Sequence, residues 1–213
     1  MQLFYREKGI DTHPPLIILH GLWGASDNWL PVADLLSHRF HVILPDLRNH
    51  GCSPHSSLFD YTILSQDTEE LIGRLNLPQR PFLAGHSLGG KTLMHLVLKR
   101  PEIVEKAAII DICPQAYTLD KQTMHRSLSE YILTTPLQNF HRRQEIHRAV
   151  REYFSTEEEV QILLKNIRKT PQGYEWKDTR RPASSAGPHS IRLFPRSLMF
   201  HLRFYSQRNP LEK

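Results

Sequence analysis

Cysteine is scarce: the 213 residues hold only Cys52 and Cys113. They fall on different predicted elements and neither belongs to a Cys-x-x-Cys pair, which excludes a disulfide framework and a cysteine zinc site. Both read as buried free thiols. Long apolar runs are missing too. The longest aliphatic stretches, Leu16 to Leu19 and Ala107 to Ile110, are four residues long, far short of the ~20 that a membrane-spanning helix needs. The start, Met1-Gln2-Leu3-Phe4-Tyr5-Arg6, alternates like a strand and lacks the basic residues and apolar stretch of a secretory signal. A cytoplasmic protein with no membrane partner is expected. The thirteen histidines show no His-x-x-x-His or carboxylate grouping with metal-ligand spacing, so no metal and no other cofactor is expected.

Hydrophobic residues at 39% and charged ones at 23% are enough for one sizeable domain that folds without staples. The net charge of +5 is unevenly spread. Residues 1–177 hold 20 Lys+Arg against 20 Asp+Glu, whereas residues 178–213 hold six Arg and one Lys against Asp178 and Glu212. Basicity confined to a tail argues against a nucleic-acid partner for the domain itself.

Short strands alternate with longer helical patterns through residue 111, the order that yields a mainly parallel sheet with helices on both faces, an α/β fold. Strands are expected at Leu3–Glu7, Leu16–His20, His41–Asp46, Pro81–Ala84 and Glu105–Asp111. Helices are expected at Asn28–Leu36, Ile63–Leu75 and Leu88–Lys99, where apolar residues recur three and four apart. After Cys113-Pro114 the chain turns amphipathic and highly charged, with helices expected around Met124–Ile132, Leu137–Phe154 and Thr156–Lys169, a helical cap or lid. From Asp178 the periodicity fades. Residues 1–114 therefore read as the core, 115–177 as the cap and 178–213 as a basic, atypical tail whose first half looks like a disordered linker. Its second half is apolar, but Pro195 interrupts it and no element is assigned.

Gly85-His86-Ser87-Leu88-Gly89 is a Gly-x-Ser-x-Gly pattern set between a predicted strand and a predicted helix. A serine on so tight a turn is forced into strained backbone, which lifts its hydroxyl out of the sheet at the positive end of the helix, while the glycines remove side chains that would collide. A second strand, Leu16–Leu19, runs into a His20-Gly21 turn. His20 suits fixing that loop by hydrogen bonding better than acting as a base.

His20-Gly21-Leu22-Trp23-Gly24, Asp27-Asn28-Trp29, Pro45-Asp46-Leu47-Arg48-Asn49-His50-Gly51-Cys52-Ser53-Pro54 and Gly85-His86-Ser87-Leu88-Gly89-Gly90-Lys91 closely resemble the small bacterial carboxylesterase and acyl-CoA thioesterase branch of the α/β-hydrolase superfamily. The resemblance covers about residues 1–177 and is dense through 114. It implies a serine hydrolase cleaving acyl esters or thioesters through an acyl-enzyme. Ser87 would be the nucleophile and the backbone amides of Leu22 and Leu88 the oxyanion donors. The substrate would be a small acyl ester or acyl-CoA, and His141-Arg142-Arg143, His147-Arg148 and Arg151 could meet coenzyme A phosphates. Asp111, ending its strand at the same sheet edge as Ser87, is the best acid. The loop from Asp46 to His50 would shape the floor of the site without taking part in the chemistry.

The family's histidine comes late, after the last strand. Here three readings stay open: His189, His201 or neither, with His189 preferred. The tail departs from the family pattern, which makes an incomplete, truncated or frameshifted carboxyl terminus an expectation, and with it a second reading as a catalytically impaired, ligand-binding relative. Ester against thioester, acyl length and oligomeric state are not fixed by the sequence.

Overall fold

The computed structural model describes residues 1–115, 119–177 and 203–205, with backbone alone for 119–122 and 203–205. These residues form two compact units, one made of 1–115 with 203–205, the other of 119–177.

In the first unit six strands form one sheet. β1 (Tyr5–Lys8), β2 (Pro15–Leu19), β3 (His41–Pro45), β4 (Phe82–His86), β5 (Lys106–Ile110) and β8 (Arg203–Tyr205) lie in the order β1-β3-β2-β4-β5-β8. Only β1 runs antiparallel to its neighbour. Every residue of β2 and β3 is buried, as expected of strands covered on both faces. Leu16, Ile18, Val42, Leu44 and Ala84 pack with Ala33 of α1 (Leu30–Leu36) on one face. Side chains alternate along a strand, so Leu19 and Ile109 turn the other way, toward α3 (Leu88–Lys99), against which α2 (Tyr61–Arg74) packs.

The chain leaves β2 toward β3 on one side, then crosses over to β4 on the other. Such a reversal opens a crevice beyond the carboxyl ends of the two strands, where open α/β sheets bind ligands. The residues at that crevice are Gly21-Leu22 after β2 and Ser87 after β4.

α2 starts where a cap dictates. The Asp60 carboxylate accepts the Ile63 N–H at 2.8 Å, satisfying one of the donors that a helix start leaves free. Asp60→Ala is expected to cost about 1 kcal/mol in urea unfolding; an unchanged midpoint would show that the cap contributes nothing.

The second unit holds α4 (Leu119–Thr134), a 3-10 turn at Leu137–Asn139, α5 (Arg143–Tyr153), α6 (Glu157–Lys165) and an antiparallel hairpin of β6 (Ile167–Thr170) and β7 (Gly173–Trp176). Its core gathers Leu128, Ile132, Ile146, Val150, Val160 and Leu163. The Tyr131 ring meets those of Tyr153, Phe154 and Trp176 at centroid distances of 5.1, 5.3 and 6.3 Å, and the Trp176 indole donates to the Thr135 carbonyl at 2.9 Å.

The structure differs from expectation at three places. The helix expected over Leu137–Phe154 is broken at 140–142, because the Glu145 carboxylate accepts the His141 and Arg142 N–H groups at 2.8 and 3.2 Å and so starts a fresh helix at Arg143. The helix expected to reach Lys169 stops at Lys165, where the Asn166 amide turns back onto the Ile162 carbonyl at 2.7 Å, and residues 167–176 pair as strands. Both cysteines are exposed, not buried, since each sits in a loop outside the strands and helices that form the core.

Candidate functional site

Ser87 joins β4 to α3 with φ 49° and ψ −109°. For a residue with a Cβ this is sparsely populated backbone that costs on the order of 1–3 kcal/mol and persists only where its surroundings enforce it. Those surroundings are specific. The Ser87 N–H donates to the Ile110 carbonyl of β5 at 3.1 Å, and the Ser87 carbonyl accepts the Lys91 N–H of the first turn of α3 at 3.0 Å. A Cβ at Gly85 would stand 2.5 Å from the Gly89 carbonyl oxygen, and one at Gly89 2.5 Å from the Leu19 carbonyl oxygen. Helix, turn and strand therefore close on one another only because neither position carries a side chain. Ser87 itself is half-buried, at the amino end of a twelve-residue helix whose dipole favours negative charge.

Leu88 opens that helix, so its N–H is one of the donors without an intrahelical acceptor. The Gly21-Leu22 loop lies against the same turn. A Cβ at Gly21 would be 2.7 Å from His86 Nδ1 and 3.4 Å from the Ser87 Cβ. The loop is fixed through His20, which is buried. The Leu47 N–H donates to His20 Nε2 at 2.9 Å, which puts the ring proton on Nδ1, and Nδ1–H donates to the Gly21 carbonyl at 2.8 Å. That carbonyl and the Leu22 N–H belong to one peptide group, which is planar and trans, so the hydrogen bond on one side sets the direction of the donor on the other. Burial pushes the His20 imidazole down to about 4, keeping it neutral near pH 7.

The segment from Asp46 to Ser53 braces this arrangement. The Asp46 carboxylate is buried and accepts the N–H groups of Ser26 and Cys52 at 2.6 and 2.7 Å. Arg48 makes a bidentate pair with Asp67 of α2 at 2.7 and 2.9 Å, and His50 packs edge-on to His20 with ring centroids 5.0 Å apart. All of these groups are occupied in holding loops.

Asp111 follows β5 directly, in left-handed backbone with φ 54°, and its side chain is 70% exposed. Its carboxylate lies 3.6 Å from Nε2 of His86, the residue before Ser87. Ser87 and Asp111 thus end neighbouring strands, tied together by the bond from Ser87 to Ile110. His189 and His201 lie outside the described residues. On α5, Arg148 and His147 are exposed, while Arg151 pairs with Glu157 and Arg143 donates to the Leu164 carbonyl. Among the described residues there is no cluster of three metal-ligating side chains, and no helix is long and apolar enough to cross a membrane.

Two features were not readable from the motifs. Lys91, one turn into α3, is buried with its ammonium 2.5 Å from the Gln115 carbonyl; only the apolar pattern around it hinted at burial. The approach of His86 to Asp111 depends on strand register, His86 pairing with Ile110, which no local pattern specifies.

Residues 14–178 match the family model described as alpha/beta hydrolase fold. The chain is 30% identical over 156 residues to the esterase YbfF of Escherichia coli, covering 73% of this chain and 60% of that protein. It is 42% identical over 112 residues to the mouse (Mus musculus) sn-1-specific diacylglycerol lipase ABHD11, covering 52% and 36%. The solved structure of a marine microorganism esterase superposes with a TM-score of 0.75 at 36% identity, over 83% of this chain and 68% of that one. The chain spans roughly a third to three-fifths of the length of these two curated relatives. With its sheet order, strained serine turn and sequence matches in agreement, the chain belongs to the α/β-hydrolase fold family, among relatives that are esterases and lipases.

Proposed function

We propose that the chain is an ester hydrolase of the serine type, cleaving acyl esters or thioesters through an acyl-enzyme on Ser87. The observation that carries this reading is the left-handed backbone of Ser87 at the β4–α3 turn, with φ 49° and ψ −109°. Strain of that kind, enforced by two glycines and a cross-strand hydrogen bond, has no packing purpose and is expected where a hydroxyl must be presented. In the reaction Ser87 Oγ attacks the acyl carbonyl, and the oxyanion that forms is received by the N–H groups of Leu22 and Leu88. A histidine, for which His189 is the assignment, takes the Ser87 proton and gives it to the alcohol or thiol that departs as the C–O or C–S bond breaks. It then takes a proton from the water that hydrolyses the acyl-enzyme and returns it to Ser87, while Asp111 orients that ring and stabilises its charge. The substrate is a small acyl ester or acyl-CoA.

The test is covalent labelling. A fluorophosphonate should modify the folded chain once, at Ser87, and leave Ser87→Ala unmodified; a folded chain that takes no label overturns the reading. The second reading, a hydrolase-like binding protein without a working base, is decided by aryl acetate hydrolysis. It holds if wild type, His189→Ala and His201→Ala all match the Ser87→Ala background.

A further inference from the structure

Burying an ammonium costs free energy that a methionine of similar length, filling the same space, would not. Lys91 is nevertheless only 2% exposed. What its ammonium holds is the turn that follows β5. Nζ donates to the Gln115 carbonyl at 2.5 Å, with the Tyr61 ring of α2 6.0 Å away. Through its backbone the same residue is tied to the serine, since the Lys91 N–H donates to the Ser87 carbonyl at 3.0 Å.

We propose that Lys91 is a positioning residue, which clamps residues 111–115 onto the first turn of α3 and so keeps Ser87 in its strained, reactive backbone. This rests on the hydrolase reading above. Three contacts fasten the stretch. At its start the Ile110 carbonyl accepts the Ser87 N–H at 3.1 Å. In its middle Ile112 lies against Gly90, where a Cβ would come within 2.5 Å of the Ile112 Cγ2. At its end the Lys91 ammonium takes the Gln115 carbonyl. The points of attachment, Ser87, Gly90 and Lys91, lie within one turn at the start of α3. Such a clamp is needed because residues 111–115 belong to no helix or strand, Asp111 sits in left-handed backbone at φ 54°, and Asp111, Cys113 and Gln115 are exposed. Released at Gln115, the turn is free to unwind toward Ile110 and to carry off the acceptor of the Ser87 N–H. The serine, whose φ 49° and ψ −109° persist only where the surroundings enforce them, then relaxes.

The readout is the reactivity of the folded chain. Methionine at position 91 keeps the unbranched stem and loses the three N–H donors. In Lys91→Met the second-order rate of fluorophosphonate labelling at Ser87 should fall about ten- to a hundredfold, the scale expected when a reacting group is displaced by about 1 Å. The kcat for p-nitrophenyl acetate should fall with it. A residue that only stabilises the fold would lower the urea midpoint and leave the folded chain reacting at the wild-type rate. Ile112→Ala, which loosens the middle of the turn, should slow labelling too. The double variant should label within about threefold of the slower single one, because both changes release one turn. A folded Lys91→Met labelled at the wild-type rate, or rate losses that multiply in the double variant, overturns the assignment of Lys91 while leaving the hydrolase reading intact. If urea unfolding shows that Lys91→Met does not fold, Ile112→Ala decides alone: slower labelling supports the clamp and wild-type labelling overturns it. A wild-type chain that neither takes the label at Ser87 nor hydrolyses the ester overturns both readings.

Discussion

Replacing Ser87 with glycine is expected to abolish ester hydrolysis and, at the same time, to make the protein more stable by about 1 kcal/mol. The serine is held at φ 49° and ψ −109°, a conformation that costs on the order of 1–3 kcal/mol with a Cβ and far less without one. Against that relief stands the greater flexibility of glycine in the unfolded chain, about 0.5–1 kcal/mol, so the balance favours the variant modestly. Rates should fall at least about 10⁴-fold, the scale seen when a covalent nucleophile is lost and only binding and oxyanion stabilisation remain. Paired measurements of the urea midpoint and of initial rates check both halves. A variant less stable than wild type would show that the turn is not strained, and hydrolysis persisting near the wild-type rate would place the nucleophile elsewhere. Stability and activity pulling in opposite directions at one residue is the pattern of a site that stores strain for function.

How much of this was legible in the sequence follows from the range over which each signal acts. α3 was readable to the residue, from Leu88 to Lys99, because its start is fixed by the glycine turn and its end by Pro101, both within the local chain. The strained turn at Ser87 and the loop-holding hydrogen bonds of His20 were readable for the same reason: each lies within a few residues of a recognisable turn. The break at 140–142 was not, since it depends on a single carboxylate, Glu145, outcompeting helix continuation for two backbone N–H groups. The β6–β7 hairpin hid inside an amphipathic pattern even though Pro171-Gln172-Gly173 is a plausible turn. Partners that meet across the sheet, such as His86 with Asp111 or Arg203–Tyr205 with β5, are set by register and by chain returning from far away. Periodicity carries no information about either.

Acid should loosen the site and the fold together, through His20 and His50. Burial pushes the His20 imidazole down to about 4, and burial together with the neighbouring His20 pushes His50 down to about 3, from an ordinary value of 6.5. In the unfolded chain both rings take up protons below pH 6.5, whereas in the folded protein they stay neutral, so the unfolded state binds more protons and stability falls as pH falls. The contribution is complete above pH 6.5 and is lost progressively below it, until about pH 4 for His20 and about pH 3 for His50. At pH 5 the loss is about 2 kcal/mol for each ring, about 4 kcal/mol for the two. Urea unfolding at pH 7 and pH 5 measures it, and His50→Asn, whose amide nitrogen reproduces the Nδ1 bond to the Arg48 carbonyl, should remove about half of the pH-dependent difference. An identical difference in the variant would show that His50 does not titrate on unfolding in this range. The consequence reaches the site because His20 has no room for a second proton. Its Nε2 accepts the Leu47 N–H at 2.9 Å, and a proton there would set two donors face to face. Relief requires the ring or the Leu47 peptide to move, and with the ring goes the hydrogen bond that aims the Leu22 N–H.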